Sequence, residues 1–423
     1  MKKVLATIAA ILIYNLAVSQ IATDTNYCAD VQSVYLSLGD NELEAPMLRM
    51  GSPETQPDQM LLRFDIMSPN PDHLRYRFRH CNAQWEPDGL DAAEFFSGMT
   101  EGNIGNHQSS FTTLKDYTNY YQLIPEPYGY FLASGNYLLE VFPDEYPDSI
   151  LLTRRFCVYE EIVDIDASLS KPRGAYGNIN RDQELDVGVT PRRNSGLAMQ
   201  AEYYIVVAQQ NRRKDLKRLL TFSGINGSTL RYEWQKENVF AGGNTFRYFD
   251  LSNLRATMYH VQKIDQWGGE IFAFLQPEEN RSRKVYTQYN SLNGGMKTNI
   301  RDRNNPQIEA DYVWVNFSLP MERPLLGGSL HIVGELTQWS LGDISRMEWN
   351  AKYKAYTKRM MLKQGYYSYQ ILYLPAGEKE AMTATIEGDH YEMPNDYRVF
   401  VYYRQPGARY DRLVGFTTRR AEN

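Results

Sequence analysis

Cysteine is scarce in this chain of 423 residues: Cys28, Cys81 and Cys157 are the only three, too few for a disulfide-stapled scaffold. One bridge with a thiol left over and three small buried apolar side chains are both consistent with that number. The six histidines, at 73, 80, 107, 260, 331 and 390, are dispersed, and none is spaced as a metal pair. After the first 20 residues no run approaches the 18 or so consecutive apolar residues of a spanning helix, so no membrane-crossing helix is expected there. An excess of positive charge is also missing: 45 Lys and Arg against 51 Asp and Glu give a net charge of −6. That balance argues against a general nucleic-acid binder. Absent too are His-Glu-x-x-His, Gly-x-Ser-x-Gly, a phosphate loop, a dinucleotide fingerprint, Cys-x-x-Cys and an acidic calcium loop. No enzyme, catalytic residue, cofactor or metal site is expected.

The start of the chain carries an address. Lys2 and Lys3 precede an apolar stretch at 4–16, and Ala17-Val18-Ser19 offers small residues at the positions a signal peptidase reads. The pattern predicts a signal peptide over 1–19, cleaved between Ser19 and Gln20, and an exported product, soluble or peripheral, with no transmembrane segment of its own. No Cys directly follows the cut, so no lipid anchor on the new N-terminus is expected. The remaining chain has room for two to three domains at roughly 150 residues each. Aromatics make up 13% of the sequence, with 32 Tyr, a composition that favours strands. Short strand-like runs separated by turn signals, with no helical period longer than about three turns, predict an all-β chain of tandem immunoglobulin-like, early-set β-sandwich domains. The expected divisions are an N-terminal sandwich over 20–163, a middle sandwich over 164–305 and a C-terminal sandwich over 306–423.

Within the first, Leu74, Tyr76 and Phe78 alternate with Arg75, Arg77 and Arg79, which gives one apolar face and one row of Arg. The row fits an acidic partner, or carboxylates on neighbouring strands. Residues 82–105 read as a long ordered loop or a short helix holding Trp85, Phe95 and Phe96. In the middle domain Arg212, Arg213, Lys214 and Arg218 crowd one segment, a solvated loop or a docking site for an acidic surface. These ten residues are the candidate partner contacts. Further on, Gly242, Gly243 and Asn244 supply a tight turn, and Phe246 and Tyr248 alternate with Arg247 as in a half-buried strand. Only Asp250 there could do acid–base work, and a structural role is expected for it. In the last domain Trp339 reads as a core anchor.

Several long stretches carry a resemblance. Phe240-Ala-Gly-Gly-Asn-Thr-Phe-Arg-Tyr-Phe-Asp250, His80-Cys-Asn-Ala-Gln-Trp85, Ser134-Gly-Asn-Tyr-Leu138 and Leu152-Thr-Arg-Arg-Phe156 resemble the type IX secretion system plug protein family. So do Leu362-Lys-Gln-Gly-Tyr-Tyr367 and Asp396-Tyr-Arg-Val-Phe-Val-Tyr-Tyr403. The resemblance implies a non-catalytic periplasmic protein that binds the giant outer-membrane β-barrel translocon and closes the periplasmic end of its pore at rest. Gly328-Ser-Leu-His-Ile-Val-Gly-Glu-Leu-Thr-Gln-Trp339 also looks like early-set modules that include glycogen-binding domains. That likeness implies the alternative, a periplasmic glycan-binding protein with Trp339 as its platform.

Overall fold

Alternation of apolar and polar residues builds the first pair of sheets. A computed structural model describes residues 21–51, 59–198, 202–209 and 217–421; the expected signal peptide and its cleavage site lie outside them. In the strand Leu74–Cys81, Leu74, Tyr76 and Phe78 point into a core and their arginine neighbours point away. This strand pairs with Gly135–Pro143 on one side and Glu101–Ile104 on the other. A facing four-stranded sheet runs Val31–Leu38, Met60–Ile66, Thr118–Ile124, Asn106–Ser109. Between the two lie stacked rings, Phe64 on Tyr120 at 5.2 Å and Tyr137 on Phe156 at 5.1 Å, which add specific geometry to the apolar burial. The segment expected as a loop or short helix contains one helical turn, Ala92–Phe95, whose Glu94 accepts from the Asp91 amide at 2.9 Å. None of the three cysteines forms a disulfide. Burial pushes the Cys81 thiol up to about 12, where it behaves as a small apolar side chain.

The middle sandwich is completed from far away. One sheet holds Val163–Ser170, Asp182–Pro191, Thr229–Tyr232 and Gly224–Asn226. The other orders Lys217–Leu219, Glu202–Gln209, Asp396–Arg404, Arg412–Arg420, so the last two described strands join it. Ile205, Val207, Val399 and Val401 together close its core. Pairing also crosses residue 305 where Arg247–Asp250 meets Gly365–Pro375 and Glu270–Leu275 runs parallel to Tyr312–Pro320. Sheet pairing therefore does not follow the expected limits 164–305 and 306–423. The reason is physical: a strand's period fixes which face is buried but says nothing of which strand lies beside it.

The third unit is a nine-stranded sheet folded on itself. Its strand Arg346–Asn350 turns the corner, pairing Met347 with Leu330 on one side and Glu348 with Thr357 on the other. Phe249, Phe317, Tyr367 and Tyr369 fill the space between the layers. No helix among the described residues is long and apolar enough to cross a membrane.

Candidate functional site

The arginine row is held by carboxylates. Glu140, opposite Arg77 across the strand pair, binds Arg77 Nε at 2.5 Å and Arg79 Nε at 2.9 Å. Arg75 reaches Glu101 at 3.3 Å and Asp144 at 3.7 Å. Arg77 also covers the Phe142 ring at 4.7 Å. Arg79 retains the most solvent, with 49% of its side chain exposed. Trp85, Phe95 and Phe96 are buried, and Arg155 lies 4.5 Å from the Trp85 ring. They are packing residues in this conformation, covered against any partner. Aromatic rings in a polar stretch mark burial as readily as binding, and their sequence surroundings do not separate the two. Arg212, Arg213 and Lys214 lie outside the described residues; the backbone of Arg218 pairs with Val207 at a sheet edge.

The stretch with Gly242 and Gly243 forms a buried polar centre. A Cβ on Gly242 would stand 2.2 Å from the His390 carbonyl oxygen and 2.5 Å from that of Arg181, so no side chain fits there. Gly243 has φ +69°, the left-handed region that glycine tolerates. Asn244 donates to the Glu387 carbonyl at 2.6 Å. Contrary to the expected alternation, Arg247 points inward while Tyr248 lies partly at the surface. The cause is Glu387, a fully buried carboxylate that binds Arg247 Nε at 2.9 Å and Arg281 Nε at 2.9 Å and accepts the Ile371 amide at 2.7 Å. Burial alone would raise its carboxyl, but the guanidinium groups of Arg247 and Arg281 outweigh this and hold it below the usual range. Glu278 is the second partner of Arg247, and it accepts from Tyr369 Oη at 2.5 Å. Asp250 caps its own turn, accepting the Ser252 amide at 2.8 Å.

Similar fasteners join the units to one another. Asp65 of the first and Lys363 of the third form a buried ion pair at 2.6 Å. Asn119 donates to the same carboxylate at 2.6 Å and Tyr312 at 2.7 Å, while Lys363 lies 4.3 Å from the Tyr117 ring. Against the middle unit, Asp411 accepts the Ala83 amide at 2.9 Å and both arms of Arg404 at 2.7 and 2.8 Å. Tyr402 donates to Asn136 at 2.7 Å. Each such contact satisfies a buried polar group that would be costly to leave unpaired. Sequence reasoning missed Arg247, Glu387, Asp65 and Lys363. For Asp65, Arg247 and Lys363 the one signal was a charged residue beside apolar neighbours, as in Met360-Met-Leu-Lys363; Glu387, between Ile386 and Gly388, had none.

Trp339 is buried against Phe246, with ring centroids 6.0 Å apart, and donates to Glu335 at 2.9 Å. It is therefore not available as a stacking platform. Among the described residues no three His, Cys, Asp or Glu converge as a metal site would require. What the geometry provides is a set of sandwiches locked into one body and an outer surface for contact.

The chain is similar to a hypothetical protein from Parabacteroides merdae ATCC 43184, known from a crystal structure at 2.30 Å resolution. That likeness has 30% identity and a TM-score of 0.89, covering 95% of this chain and 99% of that one. Native alpha-2-macroglobulin from Escherichia coli, spanning domains NIE-MG1, matches at 14% identity over 51% of this chain and 94% of that one. Its TM-score of 0.18 carries no structural argument. No curated protein matches. Residues 31–160, the first pair of sheets, match the type 9 secretion system plug protein 1st domain. With that domain in place and the whole architecture followed end to end by a solved relative, the chain belongs to the type IX secretion system plug protein family.

Proposed function

We propose that this protein is a non-catalytic periplasmic plug, exported by the signal peptide at 1–19, which binds the outer-membrane β-barrel translocon of the type IX secretion system. It closes the periplasmic end of the pore at rest and leaves when cargo and a change of partners displace it. The observation that carries this reading is the family membership resting on residues 31–160. The fasteners support it physically. A seal over a wide opening needs on the order of 1,000 Å² of matched surface, and the Asp65–Lys363 pair and the Asp411 contact with the Ala83 amide hold the units as one body that can present it. Arg75 and Arg79, at the surface of the first unit, and the basic segment with Arg212, Arg213, Lys214 and Arg218 are proposed to face the partner.

The test is affinity isolation of the tagged protein from envelopes solubilised in mild detergent. The translocon barrel is expected in the eluate. Recovery of the protein alone, under conditions that keep the barrel soluble, would overturn the reading.

A further inference from the structure

Two turns of the first unit meet at a protruding tip. The short ribbon pairs Phe96 with Phe131 and Ser97 with Tyr130. Just beyond it Gly98 and Gly129 stand close together, and Met99 and Tyr128 are their next neighbours along the chain. The glycines make the meeting possible: a Cβ on Gly98 would stand 3.4 Å from Gly129 Cα, and one on Gly129 would stand 2.7 Å from the Phe96 ring. Below the tip Phe96 and Phe131 are anchored in the core at 5.0 Å from each other. The Leu132 amide donates to Phe95 O at 2.8 Å, and the Phe78 amide to Thr100 O at 3.0 Å. The base is therefore rigid while its end is apolar and bare.

Tyr128 is 93% exposed, Met99 76% and Leu132 40%. Val285 and Leu326 are exposed to similar extents, 90% and 87%, but no paired turn sets a second bare apolar residue opposite either, and single apolar residues at a surface are ordinary. Tyr128 also holds φ +72°, fixed by the turn in which Gly129 donates to Glu126 O at 3.0 Å. A non-glycine residue kept in the left-handed region to present an aromatic ring to solvent is a pattern of contact sites. The charges nearby are acidic on balance: Glu126 accepts from Tyr76 Oη, and Arg75 stands between Glu101 and Asp144. An apolar tip made for a lipid surface carries free cations that meet anionic headgroups, and the cation here is already held by two carboxylates.

We propose that the tip formed by Met99, Tyr128 and Leu132 is the anchor of the plug, inserting into an apolar socket with a cationic rim on the translocon. This deepens the proposed function and rests on it. The experiment compares wild type, Met99→Ser/Tyr128→Ser and Tyr128→Phe, each tagged, in quantitative affinity isolation of the barrel. Because both residues are exposed, the thermal midpoint of the double variant is expected to match wild type. Barrel recovered per bait is expected to fall at least about tenfold for the double variant, as for a lost hot spot, and to stay near wild type for Tyr128→Phe. Equal recovery by wild type and double variant overturns the tip while leaving the plug reading intact. Wild type that recovers no barrel overturns both. A midpoint lowered by more than about 4 °C in the double variant assigns the tip to folding and overturns the proposal. Flotation with phosphatidylethanolamine–phosphatidylglycerol vesicles that depends on Met99 and Tyr128 would overturn it in favour of a membrane contact.

Discussion

Arg247 and Glu387 lie 140 residues apart in sequence and meet at 2.9 Å with both side chains out of solvent. Through this contact the strand Arg247–Asp250 is tied to the segment after Thr383, and through the Ile371 amide to the strand Gly365–Pro375. The carboxylate also binds Arg281, so one buried anion bridges two cations, of which Arg247 is shared with Glu278.

Removing that anion is expected to be severe. Glu387→Ala leaves Arg247 with Glu278 as its remaining carboxylate and takes from Arg281 the anion it binds, and a loss of about 3–5 kcal/mol is expected in urea unfolding. A loss under about 1 kcal/mol would show that water or relaxation replaces the carboxylate.

The two adjacent glycines are expected to fail for different reasons. Gly242→Ala places a methyl group against the His390 and Arg181 carbonyls, forcing backbone movement, with a cost of roughly 2 kcal/mol or more. Gly243→Ala has room, its nearest neighbour being Thr383 Cγ2 at 3.8 Å. It carries only the strain of φ +69°, about 1–2 kcal/mol. Thermal unfolding of the pair reads the order, and a Gly243→Ala protein less stable than Gly242→Ala would reverse the argument.

The bridge between first and third units is open to a double-mutant cycle. Lys363→Met alone leaves the Asp65 carboxylate buried beside Asn119 and Tyr312, and about 3–5 kcal/mol is expected to be lost. Asp65→Asn/Lys363→Met is expected to recover more than 1 kcal/mol of this, because the orphaned charge is gone. A coupling near zero would mean that the ion pair adds nothing to the joint.

Stability is expected to fall on acidification partly through His331. Burial first, and then the nearby Arg346, lower this imidazole from 6.5 to about 4, and it contacts Ser329 at 2.8 Å and Ser345 at 2.9 Å. The unfolded chain therefore takes up the proton that the folded chain refuses. The contribution is complete above pH 6.5 and is lost as pH falls towards 4, roughly 1–3 kcal/mol. Glu387, held below the usual carboxylate range, acts in the same direction at lower pH. Unfolding free energy measured from pH 4 to 7 is expected to flatten in His331→Gln. Parallel curves for variant and wild type would refute the assignment.

Much of the fold was legible from local pattern. Alternation in Leu74–Cys81 placed Tyr76 and Phe78 inside and the arginines outside, since a strand's faces follow from its period of two. At Arg247 the same rule failed. A buried guanidinium requires Glu387, and no local signal announces a partner 140 residues away. Trp85, Phe95 and Phe96 read as candidate contacts because aromatic side chains concentrate binding energy at interfaces, yet the clusters they enter are assembled by strands elsewhere. The bare tip at Met99 and Tyr128 was invisible for the converse reason: exposure is set by the pairing of two turns, not by composition.

The hairpin of Asp396–Arg404 and Arg412–Arg420 sets a timetable for the molecule. All strands of the first sandwich lie within residues 25–159, so that unit can close as soon as it has been delivered. The strand Glu202–Gln209 finds only Lys217–Leu219 beside it among the residues made soon after; its other edge, with Ile205 and Val207, waits for the distant strand Asp396–Arg404. During that interval the middle sheet is an unpaired template. The middle sandwich is therefore completed late, and the step most exposed to mispairing is the return of Asp396–Arg404 and Arg412–Arg420 to its open edge.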